Sequence, residues 1–530
     1  MRCSVLSLVI LLGFAARSVA AANVPVCGAI TTSTTWTKNN VYKVNCVTTV
    51  QPGTTLTIEP GTVVEAKGRA ELEPAVAIIV HRGARIIARG TADEPITFTT
   101  QENIDHYWTQ PRADLVRGLW SGLVILGRAP VRTNPTQSEG VLDEPSCPKC
   151  EYGGDVELDS SGRLEYVRVW YAGYSSGFRA GLTLAGAGSG TIVRNVDVAW
   201  HLGDGIQIRG GGANFKHISS AYNGAAAVRL NEGYQGLMQY VFAIASKTGG
   251  EALAVESSSD DRRTRPKVYN ALLVGSVEST AAAVVIFRGG SGGEYANIVV
   301  TNVHAKGAGV SQEGCGTVVS THVRPKTGSD DSRTLWWSER NVIVAGNAQG
   351  GVAYSGGCGG LSKADRADPK LTDLPSSPEF DYRIDPRPQP ESDLFEYVEE
   401  TPNDPHDFFA FAVFRGAFGM SLKDVWIGKY TWLATHNGLT DRVARAHTTT
   451  VVTAEGKKTG FDDVNVRIGV GVLIAVVVAA IAAAVTYYVR FKRIEAKYEV
   501  LIGKEMESVV VRPKHGSGAI TPMSANNNVL

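Results

Sequence analysis

Two series of short apolar strands run through the middle of this chain on one shared, irregular period, and few folds satisfy that arithmetic. The first series starts near Gly181 (GLTLA), Gly205 (GIQIR), Ala227 (AVRLN), Ala252 (ALAVE) and Ala283 (AVVIF), at spacings of 24, 22, 25 and 31. In the second, Asn195, His217, Tyr240, Asn270 and Asn297 each precede an apolar stretch, at spacings of 22, 23, 30 and 27. Self-similarity at such a period marks a repeat architecture. Two strands keeping step within each repeat mean stacked coils, each giving a strand to more than one sheet. Inward Val, Ile and Leu then stack into one long core, and loops of variable length leave at the corners. A β-propeller needs about four strands per 40 to 50 residues, which this shorter period does not supply. The expected fold is all-β, a right-handed parallel β-helix over residues 23–360. The repeated corner asparagines are expected to form side-chain hydrogen-bond ladders, not ligand sites.

Glycine fits the same picture, with 58 in 530 residues punctuating the short β-branched runs without a collagen period. Residues 361–407 hold eight prolines and many acids, and are expected to be extended without a core of their own. Aromatic residues return to residue 438, so 361–438 is taken as a proline-rich, acidic segment and a cap on the last coils. Residues 439–467 are expected to form a stalk.

Both ends carry membrane signals. Arg2, the apolar run 4–16 and the small residues Ser18 to Ala22 suit a secretory signal over 1–20, cleaved after Ala20 or Ala22. Residues 468–489 are 22 uncharged residues, enough to cross about 30 Å of hydrocarbon. Tyr487 and Tyr488 fall where an aromatic belt belongs, and Arg490, Lys492, Arg493 and Lys497 follow. The positive-inside bias puts the tail, 490–530, in the cytoplasm. A type I single-pass protein of the plasma membrane or an endomembrane is expected, its N-terminus extracellular or lumenal. Gly471, Ala475, Ala479 and Ala483 make a small-residue stripe suited to a homodimer. Tyr498 and Leu501 in YEVL resemble a sorting signal read by clathrin adaptors.

Balanced charge, 52 basic against 52 acidic residues, argues against a nucleic-acid partner engaged through a basic surface. Without Cys3 of the signal, six cysteines remain: Cys27, Cys46, Cys147, Cys150, Cys315 and Cys358. An even count in a secreted chain points to disulfides, and proximity favours pairing neighbours in that order. The histidines form no H-E-x-x-H or H-x-H, so neither a metal nor another cofactor is expected.

The best local cluster of acid, base and cation is Asp197, His201, Asp204 and Arg209 in DVAWHLGDGIQIRGG. Inverting glycosidases need two carboxyl groups about 6.5 to 9.5 Å apart. A polygalacturonase-like site would place N-T-D, G-D-D, H-G and R-I-K on successive coils. This chain offers Asn195-Val196-Asp197 and a lone Asp204, with no His-Gly in the ectodomain, and Asp204-Gly205 suits a turn.

From LTIEPGTVVEA (56–66) through GTADEPITFTT (90–100), GLWSGLVILGRAPV (118–131) and YGGDVELDSSGRLEYVRVWYAG (152–173), the chain resembles a family of bacterial secreted proteins and lipoproteins, Bacteroidetes-like, with a parallel β-helix. RPKVYNALLVGS (265–276), FRGGSGGEYANIVV (287–300) and FRGAFG with Trp426 and Trp432 continue the likeness. The resemblance implies a fold and a surface or secreted setting. Paired aspartates that such proteins tend to carry stand here as Gly203-Asp204-Gly205 and Asn223-Gly224-Ala225, which weakens any calcium role. The fused transmembrane helix and tail point to a eukaryotic host.

Taken together, the residues suggest a binding, adhesive or structural ectodomain for an extracellular glycan or protein, and no enzyme. Trp108, Trp120, Trp170, Tyr171, Tyr174 and Trp200 are candidate sugar platforms. The alternative is a glycoside hydrolase or lyase.

Overall fold

In the computed structural model, the described residues are 21–447 apart from 69–75, 105–112, 134–138, 143–146, 148–149, 175–179, 259–260, 326–332, 346–350, 357, 359, 366, 375–382 and 403–406. All belong to one compact unit, Met1–Thr449. The signal, the membrane span, the small-residue stripe and the YEVL motif lie outside them. No helix among the described residues is long and apolar enough to cross a membrane.

One continuous 25-stranded sheet wraps around the core, and consecutive coils pair in parallel. It presents three faces. The first stacks residues 167–170, 196–199, 218–221, 241–244, 271–274 and 298–301. The second stacks 182–185, 206–209, 228–231, 253–256 and 285–288. The third stacks 85–88, 162–165, 192–194, 214–216, 237–239, 267–269 and 293–295. Both strand series therefore sit as their spacing demands, and the second series runs through two faces.

Alternation explains the core. Inward residues such as Val198, Leu184, Ile208, Leu230, Val255 and Phe287 are all but fully buried in one cluster. Each fully buried aliphatic side chain contributes about 1.5–3 kcal/mol, and the parallel stack repeats that gain coil after coil.

The corner between the third and first faces requires a left-handed backbone. Tyr166, Asn195, His217, Tyr240, Asn270 and Asn297 all take φ between 49° and 59° there. Asparagine tolerates this region better than most residues, which accounts for its recurrence. The expected ladder is only partly present: Gln239 Nε2 donates to Asn270 Oδ1 at 3.3 Å. The corner amides chiefly hold another part of the chain. Asn270 Nδ2 donates to Phe414 O at 2.8 Å, Asn297 Nδ2 donates to Glu399 O at 2.9 Å, and Gly416 N donates to the Asn297 backbone carbonyl at 2.8 Å. The proline-rich segment thus becomes a strap along the corner, with a small antiparallel pair between Leu371–Asp373 and Asp385–Pro388.

The cap covers the first face. Outward Phe242, Ile244, Leu272, Val274 and Val299 pack in one cluster with Phe418, Val425, Ile427, Leu433 and Val443. That cluster extends past the expected boundary at residue 438. The helix Asp441–His447 buries Val443, and His447 Nε2 lies 2.9 Å from Leu422 O. These residues belong to the cap and not to a stalk.

All three expected disulfides are present: Cys27–Cys46, Cys147–Cys150 and Cys315–Cys358. Cys147 and Cys150 pack with Leu142 and Tyr152 over outward Ile79, Val124 and Leu126 on the early coils of the second face.

Candidate functional site

The sequence-predicted cluster does not converge. Its members are strung around one coil, and each is engaged in holding the fold. Asp197 faces outward on the first face but is 1% exposed beneath the cap, accepting from Trp170 Nε1 and Trp432 N, both at 2.8 Å. Burial raises its pKa against those hydrogen bonds. His201 is fully buried at the next corner; its Nδ1 accepts from Ala172 N at 2.9 Å, and burial lowers its pKa to about 3. Asp204 opens a strand, Asp204–Arg209, and is not a turn residue. Its carboxylate takes Arg229 Nε at 2.7 Å and Ala226 N at 2.9 Å. Arg209 closes that strand on Glu232 Oε1 at 2.6 Å.

The sugar platforms meet the same fate. Trp120, Trp170, Tyr171 and Trp200 are buried, and Tyr174 is half-buried. Trp108 lies outside the described residues. No group of three or more His, Cys, Asp or Glu side chains comes together as a metal cradle among the described residues.

Comparing the outer faces shows where a ligand could be met. The first is apolar and capped. The second is charged but internally compensated: Arg229 pairs with Asp204 and Glu256, and Arg288 with Glu251, Glu256 and Glu313. The third carries six outward basic residues, Arg85, Arg89, Arg163, Arg194, Lys216 and Lys267, against only Glu165 and Glu294.

Its outward residues form two columns. One runs Arg163, Ile192, Asn214, Leu237, Lys267, Glu294; the other runs Arg89, Glu165, Arg194, Lys216, Gln239, Tyr269. Glu165 is shared by Arg89 at 3.0 Å and Arg163 at 2.6 Å. Arg194 is exposed and no carboxylate pairs with it among the described residues. It is the register partner of Lys216 on the next coil, about 4.8 Å away along the stack. From Lys216 onward the strap borders the second column: Lys216 Nζ donates to Phe408 O at 2.6 Å, and Gln239 exchanges hydrogen bonds with Ala410 at 2.7 and 2.8 Å.

Beside this gap stands His217, a partly exposed corner residue. Its ring stacks on Tyr240 with centroids 4.8 Å apart and meets Trp426 edge-on at 5.4 Å. Burial, with the nearby Lys216 and Arg194 charges, pushes its pKa down to about 4. A neutral imidazole therefore sits beside two cations at neutral pH. Such a set can neutralise a bound carboxylate while keeping a base unprotonated. The sequence reading placed His217 only in the corner series. The usable signal was phase: Arg194-Asn195 and Lys216-His217 occupy the same step of successive coils.

Residues 28–328 match the family described as pectate-lyase like β-helix domain. No curated protein sequence matches the chain. Among solved structures, the crystal structure of pectate lyase Pel9A shares 11% identity, covering 70% of this chain and 89% of that one, with a TM-score of 0.34. Full-length tailspike protein 2 from Escherichia coli O157:H7 bacteriophage CAB120 shares 8% identity over 57% of this chain, with a TM-score of 0.18. The chain spans 38% of that tailspike. The family match overturns the expectation that the chain is no enzyme, because the family takes its description from a polysaccharide lyase.

Proposed function

Because the chain belongs to the pectate-lyase-like β-helix domain family, we propose that it engages an acidic polysaccharide along the third face and cleaves it by elimination. The observation that carries this reading is Arg194, exposed at the centre of that face with no carboxylate paired to it among the described residues, set against a capped first face and a charge-balanced second. In a uronate unit, a carboxylate held by Arg194 and Lys216 acidifies the hydrogen on the neighbouring carbon. His217 takes that proton, the C–H electrons form a carbon–carbon double bond, and the glycosidic C–O bond breaks. The departing oxygen takes a proton from water. Positioned cations and a base are the two components such a step needs.

Residues 468–489 tether this activity to a membrane, with the β-helix outside and YEVL available to adaptors within; their apolar run and flanking charges support that setting.

The test is incubation of the purified full-length chain with polygalacturonate, other uronate-containing polymers and a neutral glucan. Unsaturated products, followed by ultraviolet absorbance, are expected from the acidic polymers only and are expected to be lost in H217A. Failure to release product from any acidic polymer, or full turnover in H217A, overturns the reading.

A further inference from the structure

The C-terminal end of the β-helix is crossed by a short segment, residues 360–365. It lies against the last coil, where Val342 and Asp365 make a parallel bridge and Asp365 N donates to Asn341 O at 3.2 Å. Leu361 and Ala364 pack on the long core cluster, so the segment covers the end of the core. It is tethered at both ends: the Cys315–Cys358 disulfide stands just before it, and Asp365 is ion-paired to the fully buried Arg415. Between those ends the cover is lightly packed. An open groove of about 1290 Å³ includes Ile343, Ala345, Val352, Ala353 and Ala364 in its lining, and Ser362 and Lys363 are exposed. Segments with few buried contacts are the ones that open locally.

The side chains of Tyr354 and His322 hold the middle. Tyr354 OH donates to Lys363 O at 2.6 Å. His322 Nε2 accepts from Ser362 N at 3.2 Å and from Lys363 N at 3.1 Å, while Nδ1 lies 2.9 Å from Trp337 O. These partners dictate the protonation state. A carbonyl oxygen only accepts, so Nδ1 carries the hydrogen; backbone N–H groups only donate, so Nε2 keeps its lone pair. A proton and the closed cover therefore compete for one nitrogen. Imidazole ordinarily changes charge between about pH 5 and 8, and a protonated Nε2 sets a third donor against two.

The charged and titratable groups on the surrounding elements are engaged with other partners. Lys363 Nζ lies 3.9 Å from Glu339, and Asp365 holds Arg415. Arg324 reaches Glu400 O at 3.2 Å and Glu294 at 3.8 Å, and Arg333 is exposed. The Tyr354 ring meets the imidazole edge-on at 6.3 Å, with its hydroxyl committed to Lys363 O. Among the described residues no carboxylate is paired with His322 to hold an imidazolium in place.

We propose that residues 360–365 form an acid-released cover on the end of the β-helix, latched at neutral pH by His322. Acid frees the middle of the segment, while the disulfide and the Arg415 pair keep it from leaving. The apolar end of the core is then bared without unfolding the coils. This device is independent of the chemistry at His217.

Hydrogen–deuterium exchange of the full-length chain tests it, at about pH 7.5 and about pH 5.5, toward the two ends of the imidazole range. Rates are corrected for the intrinsic pH dependence of amide exchange. Protection of peptides spanning residues 360–365 is expected to fall about tenfold at the lower pH, as loss of one or two hydrogen bonds allows. Peptides spanning residues 228–231 are expected to stay unchanged. H322Q separates the latch from its titration: the amide oxygen accepts both N–H groups, the amide nitrogen donates to Trp337 O, and neither titrates. It is expected to keep the cover protected at both pH values, and H322A to leave it unprotected at both. Equal protection of the unaltered chain at the two pH values overturns the proposal. So does an acid loss in H322Q as large as in the unaltered chain.

Discussion

Asn297 and Glu399, 102 residues apart, hold each other by a reciprocal pair: Asn297 Nδ2 donates to Glu399 O at 2.9 Å, and Glu399 N donates to Asn297 Oδ1 at 2.8 Å. An amide side chain here acts as one more peptide unit for the strap. It does so from a left-handed backbone, φ 57°, which alanine adopts at a cost of about 1–2 kcal/mol. N297A is therefore expected to lose about 2–4 kcal/mol, combining that cost with two hydrogen bonds worth about 1 kcal/mol each. N297G should recover the backbone part alone. Urea denaturation separates them, and limited proteolysis near residue 399 should rise in both.

Asp197 makes stability depend on pH in an unusual sense for a carboxylate. Burial, its largest influence, raises its pKa above the ordinary 3.8 despite the Trp170 and Trp432 bonds. The folded state then holds a proton that the unfolded chain releases. Its contribution is greatest below the ordinary pKa and falls as pH rises through the raised one. D197N keeps an acceptor for Trp432 N and should flatten this part of the stability–pH curve. An unchanged slope in thermal melts across that range would count against the assignment.

His217 gives the opposite sign. Its pKa is lowered from 6.5 to about 4 by burial and by Lys216 and Arg194, so the unfolded chain binds the proton more readily. Its contribution is intact above 6.5 and is lost as pH falls toward 4. The same titration sets the acid limb of kcat/KM, expected near pH 4. R194A removes one of the lowering charges and should move that limb upward, a displacement that simple loss of substrate contact would not produce.

Salt should weaken polymer binding. Exposed charges are screened over about 10 Å at 0.1 M ionic strength, and Arg194 is exposed. Affinity for polygalacturonate is expected to fall as NaCl is raised, and R194E to bind worse and with a shallower salt dependence. Salt-independent binding would relocate the contact to another face.

Gly162 tests the packing of successive coils. Its φ is 131°, and a Cβ would lie 1.9 Å from Ile86 O on the preceding coil. The nearest atoms are all Ile86 backbone, which leaves nothing flexible to yield. G162A is expected to cost at least about 3 kcal/mol, beyond the usual range for single substitutions, read as a lowered denaturant midpoint.

The stacked coils were legible because alternation and spacing are local: GLTLA, GIQIR and AVRLN each show which residues face in. The corner series was visible too, but its purpose was not. Asn270 and Asn297 find their partners at Phe414 and Glu399, more than a hundred residues downstream, and no local pattern announces that. Asp197, His201, Asp204 and Arg209 looked like a site because they share one coil. A coil turns through three faces, so neighbours in sequence point in different directions. Residues that share a site instead lie one period apart, as Arg194 and Lys216 do.

The strap and cap grip widely separated coils at once, from Trp432 on Asp197 to Glu399 on Asn297. Deleting one whole coil between them would leave the remaining coils able to stack, yet shift one anchor by about 4.8 Å against the other. The cap thus serves as a gauge of length: a rod of the wrong coil number can fold along its axis but cannot be fastened at both ends.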